Sequence, residues 1–327
     1  MYTREREIAI AAVREAAILC RAVQAQISKS VLEKKDKSPV TVADFGSQAL
    51  VCRSIHEAFA GDPIIAEENS AALREEGQKD LLARVVSHVG ALRAGVDADT
   101  VCQWIDFGGA NAYSDRFWTL DPIDGTKGFL RSEQYAIALA LIVEGEIVVS
   151  ALGCPNLPVS ADRPDEVGVI FAAVKGEGAV ALALDSDAAP VPVQVSTLSD
   201  SRQARFCESV ESGHSSHDDS ANVGQQLGIT AEAVRMDSQA KYATVARGDA
   251  DIYLRLPTRP GYVERIWDHA AGVLVITEAG GKVTDIHGHP LEFTHGAGLE
   301  KNKGVIVTNG LLHDAVLDAL NAVGVTA

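Results

Sequence analysis

The order of the predicted strands and helices constrains the fold of this chain more than any other feature. Apolar runs separated by turn residues predict two β-hairpins, one at residues 135–152 around Glu144-Gly145 and one at 167–184 around Gly176. After them, shorter strands alternate with helices as far as a last helix that begins near residue 311. Hairpins followed by strand–helix alternation indicate an α+β first half and an α/β second half.

The length of the chain and one breaker-rich stretch predict two domains. Two amphipathic helices are expected within residues 8–59, ahead of the strands. Further helices are predicted near residues 80–92, 221–227, 238–246 and 268–279. A chain of 327 residues exceeds what one small core usually holds. Residues 185–195 form the best linker candidate, so we expect an α+β domain at 1–188 and an α/β domain at 189–327.

Charge and cysteine content exclude several classes of protein. Lys and Arg number 29 against 45 Asp and Glu, so the formal net charge is −16, which disfavours binding to nucleic acid. The longest apolar run, residues 135–143, is too short to span a bilayer. The five cysteines include no C-x-x-C pair, and their odd number argues against a disulfide framework. These features favour a cytoplasmic protein without membrane or nucleic-acid partners, and they leave its oligomeric state open.

The segment WTLDPIDGT at residues 118–126 is the most informative for function. Asp121 and Asp124 stand three residues apart on a proline-containing turn after an apolar strand. Gly125 allows the backbone to come close to a ligand, and the amides that follow can face an anion. Hard cations such as Mg²⁺ take carboxylate oxygens that they often share with a phosphate. A polar turn with a helix cap explains the same residues about equally well.

Other acids stand at the ends of predicted strands or the starts of predicted helices. Glu67 and Glu68 end a short buried strand, Asp44 follows Thr41 as in a capping box, and Asp268 stands where an N-cap would. Each of these acids therefore has an ordinary structural alternative. His269, beside Asp268, is expected to be structural or surface-exposed. Open α/β sheets place their functional sites at such strand ends, so these acids taken together indicate a functional cluster more strongly than each acid alone.

Four segments carry a family resemblance: TVAD at 41–44, AEE at 66–68, DPIDGT at 121–126 and WDHAAG at 267–272. In this order they resemble the signatures of the inositol-monophosphatase-like family of lithium-sensitive, Mg²⁺-dependent phosphatases. The resemblance extends from about residue 5 to about residue 310. The longer blocks, 118–130 and 253–272, look most like the 3′(2′),5′-bisphosphate nucleotidase branch of that family. The expected fold is then a layered αβαβα sandwich with mixed sheets.

The resemblance implies a carboxylate cage for Mg²⁺, with two or three ions per site. Glu67, Asp121 and the carbonyl of Ile123 would hold one ion, and Asp121, Asp124 and Asp268 would hold a second. A pair of ions neutralises both the entering and the leaving oxygen of an in-line displacement. The cations would also allow an acidic chain to receive an anionic substrate.

The resemblance further implies how phosphate and water are bound. The amides of Gly125 and Thr126 would bind the phosphate that is cleaved. The hydroxyl of Thr126, together with Asp44, would position and deprotonate the attacking water. Residues 1–188 would therefore form the metal- and phosphate-binding domain.

A second phosphate requires further cations, and the second half of the chain offers candidates. Arg255 lies on an otherwise apolar strand, where burial is costly unless the side chain meets an anion. Ser238 and Lys241, on the first turn of a predicted helix, would face one ligand together. An edge-strand arginine, a solvated lysine and a loop histidine are the structural alternatives. By resemblance, His214, Ser238, Lys241 and Arg255 bind the nucleotide, and 189–327 is the nucleotide-binding domain.

These observations lead to one hypothesis and two rivals. We expect a Mg²⁺-dependent 3′-phosphatase that converts 3′-phosphoadenosine 5′-phosphate, and also its sulfated form, to AMP or adenylyl sulfate and phosphate. The first rival is a phosphatase of the same family that acts on inositol mono- or polyphosphates or on fructose bisphosphate. The second rival is a non-catalytic sensor of phosphonucleotides or metal. The intact set of acids and Thr126 weighs against the sensor.

Overall fold

The computed structural model describes residues 1–27, 38–160, 162–210, 216–259 and 261–325. Its α-helices are α1 Thr3–Gln24, α2 Ser38–Ala58, α3 Lys79–Leu92, α4 Ala98–Asp106, α5 Thr126–Leu130, α6 His217–Leu227, α7 Ala240–Ala246, α8 Ala270–Glu278 and α9 His313–Val323. Short 3₁₀ turns occupy Ala72–Arg74, Glu76–Gln78, Ser201–Gln203 and Ile266–Asp268. No helix among these residues is both long enough and apolar enough to cross a membrane.

The first half of the chain forms a sheet whose strands follow one another in chain order. Its strands are β1 Ile64–Ala66, β2 Arg116–Asp124, β3 Ala136–Val143, β4 Glu146–Ser160, β5 Arg163–Val174, β6 Gly178–Ala183 and β7 Val191–Val193. Strand β1 runs parallel to β2, and every later neighbour is antiparallel. The two predicted hairpins are β3–β4 and β5–β6. The β3–β4 turn places Glu144 and Gly145 at positive φ, which glycine adopts readily.

The second half forms a mixed sheet of five strands in the order β11-β12-β10-β8-β9. These strands are β8 Phe206–Glu208, β9 Val234–Arg235, β10 Ile252–Arg255, β11 Lys282–Thr284 and β12 Val305–Thr308. The pairs β10–β8 and β8–β9 are parallel, whereas β12 is antiparallel to both of its neighbours. Parallel pairs require crossover connections, and helices α6 and α7 lie in two of these connections.

Three apolar cores between the sheets and the helices define five layers. The first core joins α1 and α2 to one face of the first sheet, through residues such as Leu139. The second core joins the opposite face, through Ala138, to α7, α8 and the second sheet. Tyr253 of β10 belongs to this middle core, whereas its neighbour Leu254 faces a third core with α6 and α9. The αβαβα sandwich with mixed sheets is confirmed.

The predicted linker differs from the structure. Val191–Val193, which lie within the stretch 185–195, pair with β6 as the seventh strand of the first sheet. The first sheet therefore continues past residue 188, because a short edge strand can include Pro192 without losing a ladder hydrogen bond to a second neighbour. The division into domains at 1–188 and 189–327 stays a prediction, and the middle core is shared by both halves.

Candidate active site

A β-bulge at the end of strand β2 brings Asp121 and Asp124 together. The pairing of β2 with β3 shifts register between these two residues, so both belong to the strand and not to a turn beyond it. The reason is Pro122, which has no N–H for the ladder and is accommodated at a bulge. The hydroxyl of Ser47 on α2 donates to the Pro122 carbonyl at 2.9 Å, which fixes the bulge from the side.

Gly125 and Thr126 follow directly and start the short helix α5. Gly125 has φ +88°, and a Cβ atom there would lie 2.9 Å from the Cβ of Ser238. Only glycine combines this conformation with such a close approach. Thr126 is exposed at the wall of a cavity that Asp121, Ile123 and Asp124 also line.

Parallel pairing of β1 with β2 places Glu67 beside Asp121. The two strands align Ala66 with Leu120, so the next residue of each is an acid. The side chains of Glu67 and Asp121 are close enough to hydrogen-bond, which requires a shared proton if no cation lies between them. Asp121 is only 2% exposed. Glu67 is exposed as a whole residue, but protein atoms surround its carboxyl group on most sides.

Asp44 enters the same group of acids from helix α2, and the capping-box alternative is wrong. Helix α2 already includes Ser38, so Thr41 lies inside it and cannot be its N-cap. Asp44 is 7% exposed, and the negative charges of Glu68 and Glu67 act on it. It is not one of the described residues that line the cavity.

Asp268 reaches the cavity from the 3₁₀ turn Ile266–Asp268, and the N-cap alternative is wrong for it too. The residue that precedes helix α8 is His269, and no side chain caps that helix. The turn interrupts the helix predicted for 268–279, so Asp268 lies just before the helix and faces the cavity.

The carboxyl groups of this cluster are held in an unfavourable environment. Burial, followed by the charges of Asp268, Glu68 and Asp124, raises the pKa of Glu67 to about 8. Burial and the charges of Glu67 and Asp124 likewise raise the pKa of Asp121 far above its usual range. One carboxylate oxygen of Asp121 (Oδ1) is buried without a hydrogen-bond partner among the described residues. Unpaired buried charge of this kind is typical of a site that binds a cation.

A second acidic group beside this cluster has internal partners. Ligand atoms of Glu264, Asp268 and His269 lie within 4.8 Å of one another, a spacing that suits a metal. However, Arg255 Nη2 lies 2.7 Å from Glu264 Oε2 and 3.3 Å from Asp268 Oδ2. His269 is fully buried, with Nε2 at 3.2 Å from Glu264 and Nδ1 at 2.7 Å from the Tyr242 hydroxyl. This group is held by ion pairs and hydrogen bonds, and His269 is structural.

Comparison with known proteins identifies the family. The family model described as the inositol monophosphatase family matches residues 2–324. The chain belongs to this family. Enzymes of the inositol monophosphatase family use divalent metal ions.

Relatives and solved structures agree with this assignment. A 3′(2′),5′-bisphosphate nucleotidase of Emericella nidulans is 45% identical, over 98% of this chain and 99% of that protein. The 3′(2′),5′-bisphosphate nucleotidase 1 of Arabidopsis thaliana is 44% identical, over 98% of this chain and 96% of that protein. An inositol monophosphatase from Zymomonas mobilis has the same fold, with a TM-score of 0.65 at 16% identity over 98% of this chain and 99% of that one.

The carboxylate cluster fits the divalent cation that inositol monophosphatase family enzymes use. Its donors are hard oxygen atoms on Glu67, Asp121, Asp124 and Asp268, with the buried Ile123 beside them. The orphaned oxygen of Asp121 is the atom that a cation would satisfy. A bound cation would also remove the repulsion that raises the pKa of Glu67.

The residues predicted to bind a nucleotide occupy different positions around the cavity. Arg255 lines it, although its guanidinium is paired with Glu264 and Asp268. Lys241 does not line the cavity formed by the described residues: its ammonium donates to the carbonyls of Ser238 at 2.9 Å and Met236 at 3.4 Å. Burial, opposed by the charge of Asp124, lowers the pKa of Lys241. His214 lies outside the described residues.

Ser238 stands before helix α7, which begins later than the sequence predicted. Its hydroxyl accepts from the Ala240 amide at 3.1 Å, and its φ is +70°, a conformation that non-glycine residues rarely adopt. Such conformations are retained where the surrounding structure demands them, often at functional sites.

Several residues of the site are not predicted by the sequence. Lys127, Arg259 and Tyr262 line the cavity of about 260 Å³, and Arg259 stacks over the Tyr262 ring at 5.0 Å. Gln239, which is 1% exposed, donates its backbone N–H to Asp124 Oδ2 at 2.6 Å. A Pro-Gly break before Tyr262 gave a weak signal of a loop near the site. Nothing in the sequence pattern distinguished Gln239.

Proposed function

We propose that this chain is a Mg²⁺-dependent 3′-phosphatase of 3′-phosphoadenosine 5′-phosphate, with the sulfated nucleotide as a second substrate. The products would be AMP, or adenylyl sulfate, and inorganic phosphate. The observation that carries the proposal is the carboxylate cluster, with the unpartnered Oδ1 atom of Asp121, beside Gly125 and Thr126 in one cavity. The bisphosphate nucleotidases that match the whole chain at 43–45% identity support this substrate class.

The chain's own residues suit this chemistry. When bound, a divalent cation lowers the pKa of an attacking water and neutralises charge on the leaving oxygen. Glu67, Asp121, Asp124, Asp268 and the Ile123 carbonyl would hold two Mg²⁺ ions in the cavity. Strand β2 and its bulge carry Asp121, Ile123 and Asp124, whereas Glu67 follows strand β1 and Asp268 ends a 3₁₀ turn. The positioning of a transferring phosphate requires that these donors be held in a fixed arrangement.

Phosphate and water would be handled by the segment after the bulge. The amides of Gly125 and Thr126 begin helix α5, where N–H groups lack partners within the helix and can bind a phosphate. The Thr126 hydroxyl would orient the water and pass its proton to Asp44. Burial and the charges of Glu68 and Glu67 raise the pKa of Asp44. Cations bound by Glu67 would offset this negative charge and favour the ionised carboxylate that can accept a proton.

The phosphate that is not cleaved would be bound by cations of the second half. Arg255 is the candidate that lines the cavity, and it is already held in place by Glu264. We propose that Lys241, which is buried beside the cavity lining, adds positive charge together with the hydrogen-bonding groups of Ser238. We further propose that His214 contacts the nucleoside. Exposed Arg259 adds positive charge at the cavity wall.

The experiment that tests the proposal is a substrate panel. Phosphate release is measured with 3′-phosphoadenosine 5′-phosphate, its sulfated form, 3′-AMP, 5′-AMP and inositol 1-phosphate, with and without Mg²⁺. We expect turnover of the 3′-phosphorylated bisphosphates only with Mg²⁺. A preference for inositol 1-phosphate would identify an inositol phosphatase instead, and no turnover of any substrate would favour a sensor.

Variants of the cations test how the second phosphate is recognised. Charge-assisted hydrogen bonds contribute about 1.5–3 kcal/mol, so Arg255→Ala should raise KM for the bisphosphate roughly 10- to 150-fold. KM for 3′-AMP, which has one phosphate, should change little. Lys241→Ala should follow the same pattern, with a smaller effect because its ammonium bonds backbone carbonyls. Equal losses on both substrates would show that these residues are structural.

A further inference from the structure

Two buried glutamines bond backbone groups next to the acids of the carboxylate cluster. Gln48 on α2 is fully buried, and its amide nitrogen (Nε2) donates to the carbonyl of Glu68 at 2.6 Å and to that of Ile105 at 3.0 Å. Its amide oxygen accepts from the Glu68 N–H at 3.0 Å. Gln48 therefore bonds both backbone groups of Glu68, and the N–H among them belongs to the peptide unit that joins Glu67 to Glu68.

Gln239 makes the corresponding contacts on the other side of the cavity. Its amide nitrogen donates to the Trp267 carbonyl at 2.8 Å, in the peptide unit that joins Trp267 to Asp268. Its amide oxygen accepts from the Gly272 N–H at 3.0 Å. Its backbone N–H also donates to Asp124 Oδ2 at 2.6 Å. One residue thus connects an acid of the first sheet to the turn that carries an acid of the second half.

These contacts matter because neither the segment with Glu67 and Glu68 nor the segment with Asp268 belongs to a β-strand or an α-helix. Strand β1 ends at Ala66, so Glu67 and Glu68 lie beyond its ladder, and Asp268 ends a single 3₁₀ turn. The acids repel one another, and a flexible segment would relieve that repulsion by moving away. Side-chain amides of this length can bond both the donor and the acceptor of nearby backbone, which an aliphatic side chain of equal size cannot.

We propose that Gln48 and Gln239 are positioning residues: they keep Glu67, Asp124 and Asp268 converged against their mutual repulsion and thereby set the affinity of the cluster for a divalent cation. This inference rests on the cation site of the proposed function and does not depend on the identity of the substrate. Groups behind metal ligands that orient them in this way strongly affect metal affinity in other sites.

The test measures Mg²⁺ binding without substrate. Gln48→Met and Gln239→Met keep the length of the side chain and remove its amide. Isothermal titration of each metal-free variant with Mg²⁺ should give a dissociation constant raised ~10- to 100-fold. Turnover should fall at low Mg²⁺ and recover in large part when Mg²⁺ is raised, because the ligands themselves are unchanged.

A matched control separates positioning from stability. Asn309, 2% exposed in the second half, donates to the Leu198 carbonyl at 2.8 Å and accepts from the Leu312 N–H at 3.1 Å. Asn309→Leu should lower the melting temperature and leave the Mg²⁺ dissociation constant unchanged. If a Met variant does not fold, Gln→Asn at the same position, which keeps the amide but shortens its reach, takes its place in the titration.

The outcomes are distinct. A folded Gln48 or Gln239 variant that binds Mg²⁺ as tightly as the wild type overturns the inference for that residue. Loss of affinity in Asn309→Leu as well would overturn it for both, since any buried amide would then have the same effect. A wild type that binds Mg²⁺ but cleaves no nucleotide contradicts the proposed substrate and leaves the inference standing. A wild type that binds no Mg²⁺ overturns both.

Discussion

Two acidic groups line one cavity but differ in what surrounds them. Glu67 and Asp121 face other acids, and the pKa of Glu67 rises to about 8, first through burial and then through its acidic neighbours. Glu264 is also buried, which by itself would raise its pKa. The hydrogen bond from His269 and the charge of Arg255 outweigh burial, and the pKa of Glu264 falls to about 2.

The difference separates acids that stabilise the folded chain from acids that require a bound cation. Glu264 has its counter-charges within the chain, so its ionised form is stabilised as soon as the chain folds. The carboxyl groups of Glu67 and Asp121 lack such counter-charges, and in the folded chain the negative charge of each disfavours ionisation of the other. Asp268 belongs to both groups: burial raises its pKa, and Arg255 opposes that rise. A cation from solution would complete the first group, whereas the second is already complete.

The largest expected effect concerns the group without internal counter-charges. Asp121→Asn should lower turnover ~10³-fold or more, because it removes an oxygen donor to cations that supply several kcal/mol of transition-state stabilisation. Asp268→Asn should behave similarly. The measurement is phosphate release at saturating Mg²⁺, with circular dichroism to verify folding.

A buried acid with partners provides the control for this prediction. Asp285, which is 1% exposed, accepts from the N–H groups of His287 and His289, each at 2.9 Å. Asp285→Asn should lose stability and keep its turnover per folded molecule. Full activity of Asp121→Asn would remove the distinction between the two kinds of acid.

The next effect tests whether Thr126 and Asp44 act as one unit. Thr126→Ala and Asp44→Asn should each lower kcat roughly 100-fold or more, with little change in KM, since the lost interaction belongs to the transition state. The double variant should be hardly worse than either single variant. A double variant worse by the product of the two single effects would show that the residues act separately.

A stability comparison addresses the two groups directly in metal-free protein. Glu264→Gln leaves Arg255 with one buried partner fewer, so the free energy of unfolding should fall by about 3 kcal/mol, the lower end for a broken buried pair. Glu67→Gln removes a carboxyl group whose ionisation the fold opposes, and it should leave the free energy of unfolding unchanged or higher. Urea unfolding in EDTA measures both. Equal destabilisation by the two substitutions would contradict the distinction between them.

The last expected effect is a pH dependence of stability with opposite sign in the two groups. Glu67 has a folded pKa of about 8 against an ordinary 4.5, so folding retains its proton, and metal-free stability should fall as pH rises from about 4.5 to 8. Glu264, at about 2 against 4.5, contributes stability above pH 4.5 that is lost as pH falls towards 2. Glu67→Gln should remove most of the pH dependence of stability between about pH 4.5 and 8. Glu264→Gln should remove most of it between about pH 2 and 4.5. In the wild type, saturating Mg²⁺ should also reduce the pH dependence of stability between about pH 4.5 and 8. A pH dependence that is the same with and without Mg²⁺ would contradict a cation site.

Local patterns in the sequence determined the order of elements and the identity of the family. Hairpins, alternating strands and the segment DPIDGT depend on residues close together in the chain, so they can be recognised from the sequence alone. The hairpins and the five layers are as expected. The bulge at Pro122 was expected as a turn, because periodicity does not show whether a neighbouring strand continues past a proline.

Only the tertiary structure decided how the charges are compensated. Gln239 bonds Asp124 across 115 residues of sequence, and Val191–Val193 join the first sheet although the pattern there indicated a linker. The sequence predicts Lys241 as a ligand-binding cation, and only the fold shows that its ammonium donates to two backbone carbonyls. The ionisation of a buried acid depends on which side chains the fold brings within a few ångströms, and that distance is unrelated to spacing along the chain. The sequence therefore determined which acids could form a site, and the fold decided which of them remain unpaired.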